Sequence, residues 1–192
     1  MASVEDIKEA VETARTNGCN DLVVLQCVSG YPAPAEQYNL RTIPDLANRF
    51  NVISGLSDHT IDNATAVASV ALGACVIEKH VTLDRSGGGA DDSFSLEPKE
   101  LKQLCVDAHT AWSSLGKVNY ERTASEMANI KFRRSLYVVK DIKKGEKFSH
   151  DNIRSIRPGY GLAPKEMSGV INKIALKDIT KGTPVSWALV EE

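Results

Sequence analysis

The stretch NVISGLSDHTIDNATAVASVALGACVIEKHV, residues 51–81, decides how the chain folds. Residues 52–56 and 75–79 are short apolar runs, and Asp62 or Asn63 can cap a helix of small residues over 64–72 between them. Two apolar strands joined by one helix make a βαβ unit with parallel strands. Their apolarity is continuous rather than alternating, which predicts a sheet covered on both faces. Toward the N-terminus, Ser3 can cap a helix over residues 4–16, with Val4, Ile7, Val11 and Ala14 at helical spacing. Asn17-Gly18 stops it, residues 21–28 (DLVVLQCV) read as a buried strand, and residues 40–50 form a helix after a Pro-rich loop. Toward the C-terminus a long helix opens at Pro98, a good first-turn residue, and ends at Gly116. That makes three to four βα units. They fit an open parallel sheet, or equally half of a (β/α)₈ barrel, whose usual length is about 250 residues.

Residues 117–129 are polar and weakly patterned, as a linker would be, and separate a part spanning 1–116 from one spanning 130–192. Beyond the linker come short β-branched strands with Gly turns, such as residues 135–139. KDIKKGEKFS at 140–149 recurs as KDITKGTPVS at 177–186, an offset of 37 residues. Each copy is an Asp-Ile, a Gly turn and a strand, which predicts a small β module with pseudo-twofold halves.

Bulk properties exclude several roles. The 192 residues carry a net charge of −2, with a pI near 6.1, and give no electrostatic reason for binding nucleic acid or an anionic membrane. An anionic substrate would have to be caught locally. No apolar run is long enough to span a bilayer, and MASVEDIKEA is too polar for a signal peptide, so the cytoplasm is the expected location. Cys19, Cys27, Cys75 and Cys105 show no CxxC spacing; Cys27 and Cys75, in apolar stretches, read as reduced, buried strand residues.

Four constellations could carry chemistry. His59, in Ser57-Asp58-His59-Thr60, and His80, in Glu78-Lys79-His80, follow consecutive strands and lie 21 residues apart. Parallel neighbours place their C-terminal ends side by side, on the rim where α/β enzymes hold their sites. Two imidazoles with nearby carboxylates suit Mn²⁺, Fe²⁺, Co²⁺ or Zn²⁺. Either histidine alone would more often just cap its strand; together on adjacent ends they favour a ligand pair. The loop Ser29-Gly30-Tyr31-Pro32 follows another strand end, where small residues let backbone amides approach a phosphate or carboxylate and Tyr31 offers a hydroxyl. RSGGGADD, residues 85–92, reads as a mobile loop in which Asp91 or Asp92 could bind sugar hydroxyls or amides. In the β module, Arg157 in Arg157-Pro158-Gly159-Tyr160-Gly161 is presented by a rigid turn, which suits carboxylate or amide recognition.

GLSDHT at 55–60, VIEKHVTLDR at 76–85, SLEP at 95–98 and IRPGYGLAP at 156–164 resemble the sialic acid synthase family. Among its branches, SGYPAP, LRTIPDL, the GGxDxxFSLEP-like loop and FRRSLYVVKDIKKGE look most like the pseudaminic acid synthases. The resemblance implies the C-terminal part of a (β/α)₈ barrel followed by a β-clip domain of the antifreeze-like (SAF) type. It implies condensation of phosphoenolpyruvate with a 2,4-diacetamido-2,4,6-trideoxy hexose to give a nonulosonic acid and phosphate; the N-acetylneuraminate and legionaminic acid synthases are the sister alternatives. It also implies a divalent metal, Mn²⁺ first, with Mg²⁺, Co²⁺ or Fe²⁺ as alternatives, and a domain-swapped homodimer. By motif, His59 and His80 fall on the metal-binding histidines and Ser57 on a phosphoenolpyruvate contact. Tyr31 and Asp91 fall on sugar positions, and Arg157 on the β-clip arginine that reaches the partner's substrate. Glu78 is a carboxylate close enough to serve at the metal or behind its ligands. Ser29 departs from the family, whose sialic acid synthases carry an Asn there for phosphoenolpyruvate. The family has a further half-barrel before the equivalent of Met1, so the expectation is a C-terminal portion, inactive alone, from a truncated gene, a cloned piece or a split enzyme. The rival of another class is a non-catalytic SAF binding module. Ice binding fits poorly with the Lys-rich repeats.

Overall fold

The computed structural model describes residues 1–191, and its contacts divide the chain into two compact units, 1–118 and 119–192. In the first, α1 (Val4–Thr16) opens with a capping box: Ser3 Oγ accepts from the Asp6 amide, and Asp6 accepts from the Ser3 amide. Strands β1 (Val23–Cys27), β2 (Ile53–Asp58) and β3 (Val76–Lys79) form a parallel sheet in the order β1-β2-β3. Helices α2 (Thr42–Phe50) and α3 (Ala64–Ala71) provide the crossovers, and α4 (Pro98–Leu115) follows β3. The cap of α3 comes from Asp62, whose Oδ1 accepts from the Ala64 amide; Asn63 occupies the N-cap position without making the bond. Arg15 of α1 donates to the carbonyls of Phe50 and Asn51 and so closes the C-terminal end of α2.

Registers Cys27↔Ser57 and Ser57↔Glu78 level the three C-terminal strand ends. Leu56 and Ile77 turn toward the helices and pack with Tyr38, Ile43, Ala66 and Leu104. Val23, Ile53 and Val76 lie on the other face and are exposed. The two-sided cover expected from continuous apolarity is therefore absent in this unit, because its helices pack on one face only. Cys75 departs from expectation for a different reason. It precedes β3 at the sheet's edge, beside an open groove lined by Ala74, Trp112 and Leu115, and is exposed rather than buried.

Gly55 admits no other residue cheaply, since a Cβ there would run into the Val76 carbonyl and the Leu25 side chain. Gly55→Ala must spread β2 from β3, and the expected cost is about 1–3 kcal/mol, read as a lower urea midpoint. An unchanged midpoint would mean that the two strands separate freely.

The second unit pairs β4 (Ser135–Val138) with β5 (Ile153–Ile156) antiparallel over a core of Leu136, Val138, Ile142, Phe148, Ile179 and Val185. The polar segment expected to be a linker holds a capped turn of helix, α5 (Ala124–Met127). The repeat is a twofold in hydrogen bonds. Ile142 and Ile179 exchange amide–carbonyl bonds of 2.9 and 2.8 Å. Asp141 accepts from the Lys181 amide at 2.7 Å, and Asp178 accepts from the Lys144 amide at 2.8 Å. The strand expected after each Gly turn shrinks to an isolated bridge, Lys147↔Ile174 in one copy and Tyr137↔Pro184 in the other. Pro184 has no N–H to extend its ladder. No helix among the described residues is long and apolar enough to cross a membrane.

Candidate metal and substrate site

His59 leaves the end of β2 with its polar groups fixed. Its N–H donates to the Tyr38 hydroxyl at 2.5 Å, and its carbonyl accepts from the Ala33 amide at 3.0 Å. Its Nδ1 lies 2.8 Å from the Val28 carbonyl oxygen. A carbonyl only accepts, so Nδ1 carries the proton and Nε2 keeps its lone pair, the form a metal ligand requires. His80 leaves the end of β3, with its carbonyl accepting from the Leu96 amide. The two rings stand edge to face, with centroids 5.2 Å apart. Tyr31 lies against both, 4.3 Å from the His59 ring and 5.9 Å from that of His80. Phe94 supports His80 and Tyr31 from centroid distances of 5.2 and 5.7 Å.

The remaining expected residues divide by position. Asp91 is exposed, and its Oδ2 is 3.6 Å from His80 Nδ1. Asp92 is half-buried and accepts from the Gly89 amide at 2.7 Å, which leaves Asp91 the more exposed of the two aspartates. At the base of the exposed glycine loop, Arg85 donates to the Ser95 carbonyl and pairs with Glu100. Ser57 Oγ donates to Glu78 Oε1 at 2.7 Å, joining β2 to β3 on the open face. Ser29 is exposed one residue beyond Val28, while the Gly30 amide is already taken by the Val28 carbonyl. Arg157 belongs to the second unit and is exposed; its turn is held by Ser135, whose hydroxyl donates to the Pro158 carbonyl and accepts from the Gly161 amide.

Three structural residues escaped the motif reading. Lys79 and Asp58 form a buried ion pair of 2.9 Å, their side chains 3% and 0% exposed. The third, Tyr38, is fully buried. Burial pushes its phenol up to about 12; the Asp58 charge adds to this, and the bond from the His59 N–H opposes it. An unfolded tyrosine ionises near 10, so between pH 10 and 12 the folded chain holds a proton that the unfolded chain has lost. This contribution is intact below pH 10, and stability falls as pH rises through the window. The urea midpoint should therefore drop more steeply from pH 9 to 12 in the native chain than in Tyr38→Phe; parallel slopes would contradict the assignment.

Among the described residues no three His, Cys, Asp or Glu side chains gather as a metal-holding group. Two imidazoles, one tautomer set by a carbonyl, still fit a divalent cation whose other positions belong to water and substrate.

Residues 1–120 match the NeuB family and residues 133–191 match the SAF domain. The chain belongs to the NeuB family. This NeuB chain is 42% identical over 182 residues to a pseudaminic acid synthase of Campylobacter jejuni serotype O:2, covering 95% of the chain and 53% of that protein. It is 40% identical over 181 residues to an N,N'-diacetyllegionaminic acid synthase of the same organism, covering 93% and 54%. The crystal structure of the spore coat polysaccharide biosynthesis protein SpsE from Bacillus subtilis aligns with all of the chain and 59% of its own, with 36% identity and a TM-score of 0.57. The NeuB chain thus spans about half the length of the curated relatives it matches. Its fold is the C-terminal part of a NeuB-type barrel followed by a SAF domain.

Proposed function

We propose that this chain supplies the metal- and sugar-binding part of a nonulosonic acid synthase, on the pseudaminic acid branch. The observation that carries the reading is the facing pair His59 and His80, the former with Nε2 freed by the Val28 carbonyl, beneath the Tyr31 ring. The nearest sister reading is a legionaminic or N-acetylneuraminate synthase.

A divalent cation held by His59 and His80, with Mn²⁺ the first choice, supplies Lewis-acid polarisation of the open-chain sugar aldehyde. Tyr31 and Asp91 orient the sugar at the rim, and Ser57 and Ser29 anchor phosphoenolpyruvate. Arg157 reads the sugar from the SAF domain, in keeping with a domain-swapped homodimer. The methylene carbon of phosphoenolpyruvate bonds to the aldehyde carbon, and the aldehyde oxygen takes a proton. Water adds at the former enol carbon and gives up one proton; C–O cleavage there then releases phosphate, which takes the proton of the new hydroxyl as that carbon becomes the ketone of the 2-keto acid. Glu78 holds the Ser57 hydroxyl proton in the structure, and that proton turns from Glu78 to phosphoenolpyruvate when it binds.

The test uses the whole gene product carrying this chain, with phosphoenolpyruvate, Mn²⁺ and, in parallel, the diacetamido-trideoxy hexoses of the pseudaminic and legionaminic series and N-acetylmannosamine. Phosphate release with the pseudaminic precursor alone supports the reading. Release with another sugar moves the protein to a sister branch. Release with none returns it to a SAF-type binding module.

A further inference from the structure

The two histidines sit on different strands, and their ring separation depends on what ties the strand ends together. On the open face the tie is Ser57–Glu78. On the helix face it is Lys79, whose three ammonium protons meet Asp58 Oδ2 at 2.9 Å, the Thr60 carbonyl at 2.6 Å and the Asp62 carbonyl at 2.8 Å. Thr60 Oγ1 lies farther, at 3.3 Å. Asp58 completes the lock, its Oδ1 accepting from the Thr60 amide at 2.8 Å. The bonded atoms bracket His59, at 58 on one side and at 60 and 62 on the other, and they come from the residue that immediately precedes His80. The Lys79 side chain is 3% exposed and its protons are used, so its ammonium has no route to a substrate.

We infer that Lys79 is a positioning residue that sets the distance between the His59 and His80 imidazoles, with Asp58 as its counterion. This rests on the metal reading proposed above. The bonds to His59 itself come from Val28, Ala33 and Tyr38, all before β2, and none of them reaches β3. Lys79 is the buried side chain that couples the histidine turn to the other histidine's strand. A positively charged, saturated donor suits this task. It holds three acceptors without a preferred plane, whereas guanidinium would impose a fork.

The test compares the native chain with Lys79→Met and Lys79→Gln, the second keeping two N–H donors in case the first does not fold. Amide NMR spectra report folding. In metal-free protein, NOEs between the His59 and His80 ring protons report the spacing, and electron paramagnetic resonance of free Mn²⁺ reports affinity. The expected result is a folded variant that loses the inter-ring NOEs and binds Mn²⁺ about 10–100-fold more weakly, the usual effect of removing a group that orients ligands. A folded variant with native NOEs and native affinity would overturn the inference. If the native chain shows the NOEs but binds no Mn²⁺, the metal reading fails, and the variants' NOEs alone decide the role of Lys79.

Discussion

On the metal-assisted condensation proposed above, replacing His59 or His80 with alanine is expected to lower turnover by at least about a thousandfold. A Lewis acid at the aldehyde contributes several kcal/mol to the transition state, and each 1.36 kcal/mol is a factor of about ten in rate. The two variants should resemble each other and resemble the native enzyme stripped by a chelator. Adding Mn²⁺ back should restore the native protein and neither variant. Turnover unchanged in either variant after this cycle would refute the ligand assignment. His59→Ala should also release the Val28 carbonyl and the stacked Tyr31, so its apparent sugar affinity should fall further than that of His80→Ala.

The largest stability effect is expected at Lys79→Met. Removing one partner of a buried ion pair strands the other, and Asp58 is then an uncompensated carboxylate with no exposure. Such losses run to about 3–5 kcal/mol, a large share of the roughly 5–15 kcal/mol that holds a domain folded. Asp58→Leu combined with Lys79→Met should recover most of that cost, because a packed apolar pair leaves no stranded charge. Urea unfolding measures both. A single variant with the native midpoint would mean the pair is solvated. The double variant separates stability from positioning: it should regain the midpoint without regaining Mn²⁺ affinity.

Much of the fold is legible in local signals. Ser3 with Asp6, the stop at Asn17-Gly18, and Pro98 and Gly116 around α4 act within a few residues, and each element starts or ends where its cap stands. The histidine pair is legible for a related reason, since one βαβ step turns sequence spacing into adjacency on a rim. What escapes is long-range or depends on which face is covered. Tyr38 reaches His59 across 21 residues and a whole helix, with nothing in its neighbourhood to announce it. Lys79 reads as part of a motif, and only the β2–β3 register shows that it points away from the rim and into Asp58. Phe94, a lone aromatic in the polar run RSGGGADDSFS, carries a signal that could have been used, since such a residue has to pack somewhere. The exposed Val23, Ile53 and Val76 depend on a sheet face to which this unit contributes no helices, and Cys75 on an open groove at the sheet's edge beside α4.

The twofold in the SAF domain bears on how that domain forms. Each glycine turn closes locally, through the Glu146 N–H to the Lys143 carbonyl in one copy and the Thr183 N–H to the Thr180 carbonyl in the other. Each also has an amide served from the other copy: Asp141 accepts from Lys181 and Asp178 from Lys144. These two crossed bonds form only when the chain closes on itself across some 37 residues, and a loop of that length is entropically costly before any bond repays it. The local β4–β5 pairing can form early, whereas the bonds between the two copies share one closing step. The domain should fold and unfold as a single unit, and a nick between the two copies should cost both crossed bonds together.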